Sequence, residues 1–222
     1  MIDLLIFLIC VTFLLLIGTV VVFAYVSGFF TSIDAAISSD LPYLKDGSTI
    51  YYKINRGSYF SLGGIFTETY SVAPKLIQFG LHYDDPETVS ADECRSAIGV
   101  FVIEKENEDL IEQLEKNGFK KKILPSVEEG IYATFPHISF LSIGFGLSKV
   151  LPLLRSYFKK MDCKDFTFLE IYDDDTIHYI GITKDADDFL VEDFYPEEND
   201  EIVKITQSDI EAVTEEGKEK AE

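Results

Sequence analysis

Apolar residues are distributed along this chain in three regimes. The first is an unbroken run: Leu4 to Val26 reads LLIFLICVTFLLLIGTVVVFAYV, without a single charge. At 1.5 Å per helical residue these positions reach about 34 Å, enough to cross a hydrocarbon core of about 30 Å. Thr12 and Thr19 can bond back to helix carbonyls, so neither is costly there. The pattern predicts a transmembrane helix over 4–26. A cleavable signal peptide is the competing reading, because Val22-Phe23-Ala24 resembles a small-x-small cleavage pattern. Against it, the run exceeds the usual apolar region of about 7–15 residues, and no Lys or Arg precedes it. Orientation is not encoded: only the N-terminal amine and Asp3 stand before the run, and the first Lys after it is Lys45.

The second regime, 27–47, mixes Ser and Gly with scattered apolar residues and has no sustained period. It reads as a spacer that lets a domain stand off the membrane. The third regime, 48–183, is periodic, and its pattern occurs twice. Ile50-Tyr51 opens IYYKINRGSYFSLGGIF and Ile131-Tyr132 opens IYATFPHISFLSIGFGL. In each, a β-rich run passes through a polar turn into an amphipathic helix, predicted over 62–76 and 141–160. Leu147, Val150, Leu151, Leu154 and Phe158 follow helical spacing in the second. After each helix comes a strand ending in Tyr-Asp-Asp, FGLHYDD and FLEIYDDD. A strand with a Gly between aliphatic residues follows, at Ile98-Gly99-Val100 and Ile180-Gly181-Ile182. The first copy adds a helix near 108–117, with Gly118 ending it.

The unit is therefore strand–helix–strand–strand, used twice. Pairing two such units predicts an α+β fold: one sheet with two helices on one side, pseudo-twofold symmetry, and an opposite face left concave and open. Alternation along 166–172 sets Leu169 and Ile171 on one side and Phe166, Phe168, Glu170 and Tyr172 on the other. Matching the repeats puts Phe79, Leu81 and Tyr83 at the positions of Phe168, Glu170 and Tyr172. With the aliphatic side on the helices, a ligand-binding cleft of Phe79, Tyr83, Phe168 and Tyr172 around Glu170 is expected on the open face.

Composition narrows the partners. The net charge is −20, and the segment 184–222 holds 15 Asp and Glu against 4 Lys, which marks it as an acidic, mostly disordered tail. So acidic a chain repels phosphate backbones and anionic headgroups, and a direct nucleic-acid partner is disfavoured. Cys10, Cys94 and Cys163 cannot form a disulfide framework, and no Asn-x-Ser/Thr sequon occurs, which suits a cytosolic domain.

The residues IFTETYSVAPKL (65–76), YDDPETVSADECRSAIG (83–99), ATFPHISFLSI (133–143) and LEIYDDDTIHYI (169–180) carry a resemblance to known proteins. The duplicated unit resembles the GyrI-like ligand-binding domain. The order of anchor, spacer and domain is similar to the testis-expressed protein 264-like family of endoplasmic-reticulum autophagy receptors. The resemblance covers about residues 1–183. It implies a single-pass protein of the endoplasmic reticulum membrane with a cytosolic domain, acting in reticulophagy and reaching the autophagosome. It also implies autophagy ubiquitin-like proteins as partners, bound by an aromatic-x-x-aliphatic motif in a long tail through strand addition. The tail here departs from that pattern: Phe189, Phe194 and Tyr195 are followed at that spacing by Glu192, Glu197 and Glu198.

Other candidates read as structural. His82, His137 and His178 show no ligand spacing with the cysteines, so no metal or other cofactor is expected. No nucleophile elbow, glycine loop before a helix or HExxH occurs, and a non-enzymatic adaptor is expected. Lys120-Lys121-Lys122 reads as a solvated strand end, with a weak lipid-headgroup contact as its alternative. The alternative function is a membrane-tethered small-molecule sensor that uses the aromatic cleft with Glu170.

Overall fold

Helix α1 (Ile2–Val26) takes up the apolar run, and none of its residues is buried against the rest of the chain. The Thr12 and Thr19 hydroxyls donate to the Leu8 and Leu15 carbonyls, both at 2.9 Å, so neither is left unpaired on the apolar helix. The computed structural model describes residues 2–103 and 106–195.

After α1 the chain enters the sheet at once. Residues 27–47, expected as a spacer, contribute strand β1 (Ala35–Ser38), which pairs antiparallel with residues 130–133. The first repeat then supplies β2 (Ser48–Arg56), α2 (Gly63–Val72), β3 (Gln78–His82) and β4 (Arg95–Phe101). Helix α2 stops short of the expected Leu76 because Pro74 cannot continue it. Helix α3 (Glu108–Lys116) and β5 (Lys120–Leu124) follow, with Lys116 bonded to Glu112 one turn back at 2.8 Å. The second repeat is β6 (Gly130–Pro136), α4 (Phe140–Lys160), β7 (Thr167–Asp173) and β8 (Thr176–Ile182).

The eight strands run β1-β6-β8-β7-β3-β4-β2-β5, with antiparallel neighbours. Read outward from the central β7–β3 pair, each side repeats the same order and ends in one added edge strand. This is the pseudo-twofold arrangement that the repeat implies, with β1 and β5 as matching edges.

Helix α4 packs Leu147, Val150, Leu151, Leu154 and Phe158 into a cluster with Ile131, Phe135, Phe168, Tyr172 and Tyr179. A smaller cluster joins Tyr51, Val100 and Ala73 to Leu114 of α3 and to Phe119. The helix-covered face of the sheet therefore carries Phe168 and Tyr172, not the aliphatic Leu169 and Ile171.

The opposite face is not open. Phe79, Leu81, Leu169, Ile171 and Ile180 are fully buried there. Segment 41–46 closes part of it: the Tyr43 ring stacks on Phe101 at 5.1 Å, and its hydroxyl donates to Asp173 Oδ2 at 2.8 Å. Burial and that bond push the Tyr43 pKa to about 12. A 3-10 turn, Ala186–Phe189, closes another part, where Tyr83 Oη donates to the Phe189 carbonyl at 3.1 Å. Phe189 and Val191 are buried, so the acidic segment does not start as free chain at 184. Glu192–Phe194 forms a separate 3-10 turn, and residues 196–222 of the expected tail lie outside the described residues.

Candidate functional site

Glu170 sits in the middle of β7, and its position follows from the strand beside it. In the β3–β7 register Gly80 lies opposite Glu170 and His82 opposite Phe168. Gly80 has no side chain, and the carboxylate uses that space: a Cβ there would fall 2.6 Å from Glu170 Oε1 and 2.9 Å from His82 Nε2. His82 Nε2 donates to Glu170 Oε1 at 3.0 Å, and both side chains are withdrawn from solvent. The imidazole is held between the Tyr59 ring at 4.3 Å and the Phe168 ring at 4.6 Å.

Glu170 Oε2, His82 Nδ1 and the hydroxyls of Tyr172 and Tyr179 are buried with no hydrogen-bond partner. Burial, and then the field of Glu170, push both tyrosine pKa values well up, so each remains a neutral donor. Buried polar groups left unmatched cost about 1–3 kcal/mol each, and of these four residues Glu170 and Tyr172 line a cavity where a bound molecule of complementary chemistry would recover that cost. Glu170 Oε2 suits a donor or a cation; the phenols suit either an acceptor or a donor.

Above this floor lies a cavity of about 690 Å³ between α2 and α4. Phe66 and Leu62 form one wall, Phe140, Ile143 and Phe145 the other, with Glu170 and Tyr172 at the base. This size and lining match small-molecule sites: a mostly apolar enclosure with a few convergent polar groups.

The structure thus brings together three of the five expected cleft residues, Glu170, Phe168 and Tyr172, on the helix side of the sheet. Phe79 and Tyr83 are not among them; they lie on the opposite face, under segment 41–46 and the Ala186–Phe189 turn. His82, read from sequence as structural, is bonded to Glu170, and Tyr59 and Phe66, which the sequence reading did not single out, accompany it. The available signal was Gly80, a small residue two places from a histidine on the same strand face.

The shared Tyr-Asp-Asp ending of the first repeat is a brace. Asp84 accepts from Arg95 Nη2 at 2.8 Å and from the Arg95 backbone N–H at 2.6 Å. Asp85 accepts from Arg155 Nε and Nη2, both at 2.8 Å, which ties the first repeat to α4 of the second. The Arg155 guanidinium holds the Asp85 carboxyl below its usual range.

A membrane-length N-terminal helix carrying an α+β domain with a cleft of ligand-site character fits the class of membrane-anchored proteins. Over 181 residues the chain is 35% identical to human testis-expressed protein 264, covering 80% of this chain and 57% of that one. The mouse homolog is 35% identical over 172 residues, covering 76% of this chain and 55% of the relative. These matches support kinship with the testis-expressed protein 264 proteins, although the chain spans only a little over half their length. No family model matches the chain. Among solved structures, an integron cassette protein of Vibrio cholerae aligns at TM-score 0.39 and 11% identity, over 69% of this chain and 97% of that one. A hydrolase of Listeria innocua aligns at TM-score 0.35 and 5% identity, over 68% of this chain and 90% of that one. Likenesses this distant bear on neither fold nor function.

Proposed function

We propose that the chain is a single-pass, non-enzymatic adaptor or receptor of the endoplasmic reticulum membrane, with its domain in the cytosol, acting in selective autophagy of that organelle. The observation that carries this reading is the 35% identity to testis-expressed protein 264 over four-fifths of the chain, joined to the membrane-length helix α1. The free thiols and absent sequons favour the cytosolic side. Protease added to intact microsomes should digest the domain and leave a small protected N-terminal fragment. Co-precipitation of the full chain with autophagy ubiquitin-like proteins should rise under starvation. A fully protected domain, or no co-precipitation in either state, would sink the proposal.

A second reading is favoured by the cavity between α2 and α4: a membrane-tethered sensor of small molecules. In that reading Glu170 receives the cationic or donor end of a ligand and the aromatic walls hold its apolar body. A cationic aromatic dye should bind with micromolar affinity, about 8 kcal/mol. Glu170→Gln should weaken it by about 1–3 kcal/mol, as loss of a partly desolvated charge partner requires. Equal affinities by fluorescence titration would leave Glu170 with a structural role alone.

A further inference from the structure

The end of α1 is fastened to the domain by specific bonds. Ser142 Oγ donates to the Ser27 carbonyl at 3.1 Å, and the Ser27 and Ser139 hydroxyls bond each other at 2.8 Å. Lys149 Nζ donates to the carbonyls of Gly28, Phe29 and Thr31, at 3.1, 2.6 and 2.5 Å. The segment 27–31 that directly follows α1 is thereby held against the first three turns of α4, with no slack between anchor and domain.

Around this fastening, large apolar side chains face outward. Phe140 is 75% exposed, Phe30 65%, Ile138 55% and Phe29 49%. Phe29 packs edge-on against Phe30 at 5.0 Å and against Phe145 at 5.2 Å, and Tyr25 reaches Phe30 at 6.4 Å. Phe140 and Ile138 flank Ser139, whose hydroxyl touches Ser27, so they stand within about 10 Å of the point where α1 ends. Tyr25, Phe29, Phe30 and Phe145 are thus linked ring to ring, and the exposed Ile138 and Phe140 stand beside the same junction, as an apolar collar around the end of α1.

Exposed apolar groups scattered singly need no account, but a contiguous cluster marks a contact surface. At the end of a membrane-length helix the neighbouring phase is the headgroup layer, where aromatic rings are favoured. Charge does not supply the attraction. The chain carries −20 and is repelled by anionic lipid, and Lys149 is engaged with backbone carbonyls.

The geometry points to the bilayer interface as the partner of this collar: Phe29, Phe30, Ile138 and Phe140 seat the domain on the membrane surface in a fixed orientation. The inference rests on α1 being a membrane anchor, and the test separates the two. The chain contains no Trp, so one introduced Trp is a unique reporter. Phe140→Trp and Phe30→Trp place it in the collar. Ile123→Trp places it at an exposed position on β5, the sheet edge opposite β1, about 34 Å away across seven strand spacings.

Each full-length variant is reconstituted into neutral phosphatidylcholine vesicles brominated near the headgroup end of the acyl chain. Flotation reports the anchor, and bromine quenching reports the collar. All three variants should float. Quenching should be at least about threefold stronger at positions 140 and 30 than at 123, and it should survive about 0.5 M salt, which screens charge but not apolar contact. Equal quenching at all three positions in floating vesicles overturns the seating and leaves the anchor standing. Loss of quenching in salt overturns the aromatic basis, and protein that fails to float overturns anchor and collar together.

Discussion

The buried pair Glu170–His82 depends on the residue between its strands that has no side chain. A methyl at Gly80 would stand 2.6 Å from the carboxylate oxygen and 2.9 Å from the imidazole, inside contact distance of both. Gly80→Ala should therefore destabilise the domain by about 1–3 kcal/mol, the usual cost of overpacking a closed site. Urea unfolding with an unchanged slope checks it, and an unchanged midpoint would show that Glu170 can swing clear. The same register explains why the cleft was only partly legible in the sequence. Alternation along β7 was readable, and it correctly grouped Phe168, Glu170 and Tyr172. The partner strand was placed by matching the two Tyr-Asp-Asp endings, which offsets the repeats by an odd number of residues. In the observed pairing, Gly80 opposite Glu170 and Leu81 opposite Leu169, residues of like face are offset by an even number. A slip of one residue moves every side chain to the other face, so Phe79 and Tyr83 left the cleft and His82 entered it.

Elements that meet across the repeats are held by charge. The Arg155 guanidinium of α4 grips Asp85 in the turn after β3, with both carboxylate oxygens engaged. The folded pKa of Asp85 lies below the ordinary 3.8, so the unfolded chain takes up the proton first as the medium is acidified. The contribution is complete above about pH 4 and is lost as pH falls through the depressed folded value. Asp85→Asn should be less stable than wild type at pH 7 by about 1.5–3 kcal/mol, the range for hydrogen bonds to charged groups. The gap should narrow as pH falls below about 4 in urea titrations; a constant gap would assign the loss to packing. The junction of α1 with α4 is held differently, by the Ser27–Ser139 and Ser142–Ser27 hydrogen bonds and by one lysine on three carbonyls. Lys149→Ala should free that segment, so that limited proteolysis between Gly28 and Asp34 speeds up severalfold while the domain midpoint barely moves. The long helices and the duplicated strands were legible because their periods run for many residues. Strand β1 was not: it has four residues, sits at an edge and is half exposed, so it leaves no period to read.

At the scale of the whole molecule, the receptor reading and the chemistry of the tail make separate demands. Strand addition needs an aromatic and an aliphatic side chain three residues apart on a backbone with unpaired N–H and C=O groups. On the inner strands, Phe166/Leu169, Phe168/Ile171, Tyr51/Ile54 and Tyr179/Ile182 have the spacing, but in each of these pairs at least one member is no more than 2% exposed. All four involve the strands β2, β7 or β8, whose backbones are already bonded on both sides. Phe189 is 1% exposed, and its carbonyl is taken by Tyr83. Phe194 and Tyr195 have an acidic flank, yet Glu197 and Glu198 stand where the aliphatic anchor belongs, and Pro196 removes a backbone donor. Placing Glu197 in an apolar pocket costs several kcal/mol, enough to cancel a micromolar motif. A peptide of residues 184–222 should therefore bind autophagy ubiquitin-like proteins more weakly than about 100 µM, about 5.5 kcal/mol. Calorimetry with Phe194→Ala as control decides it. Low-micromolar binding abolished by that substitution would place recruitment in the tail. Weak binding of the peptide beside firm co-precipitation of the full chain would instead place it on the domain, or on a protein that the domain carries.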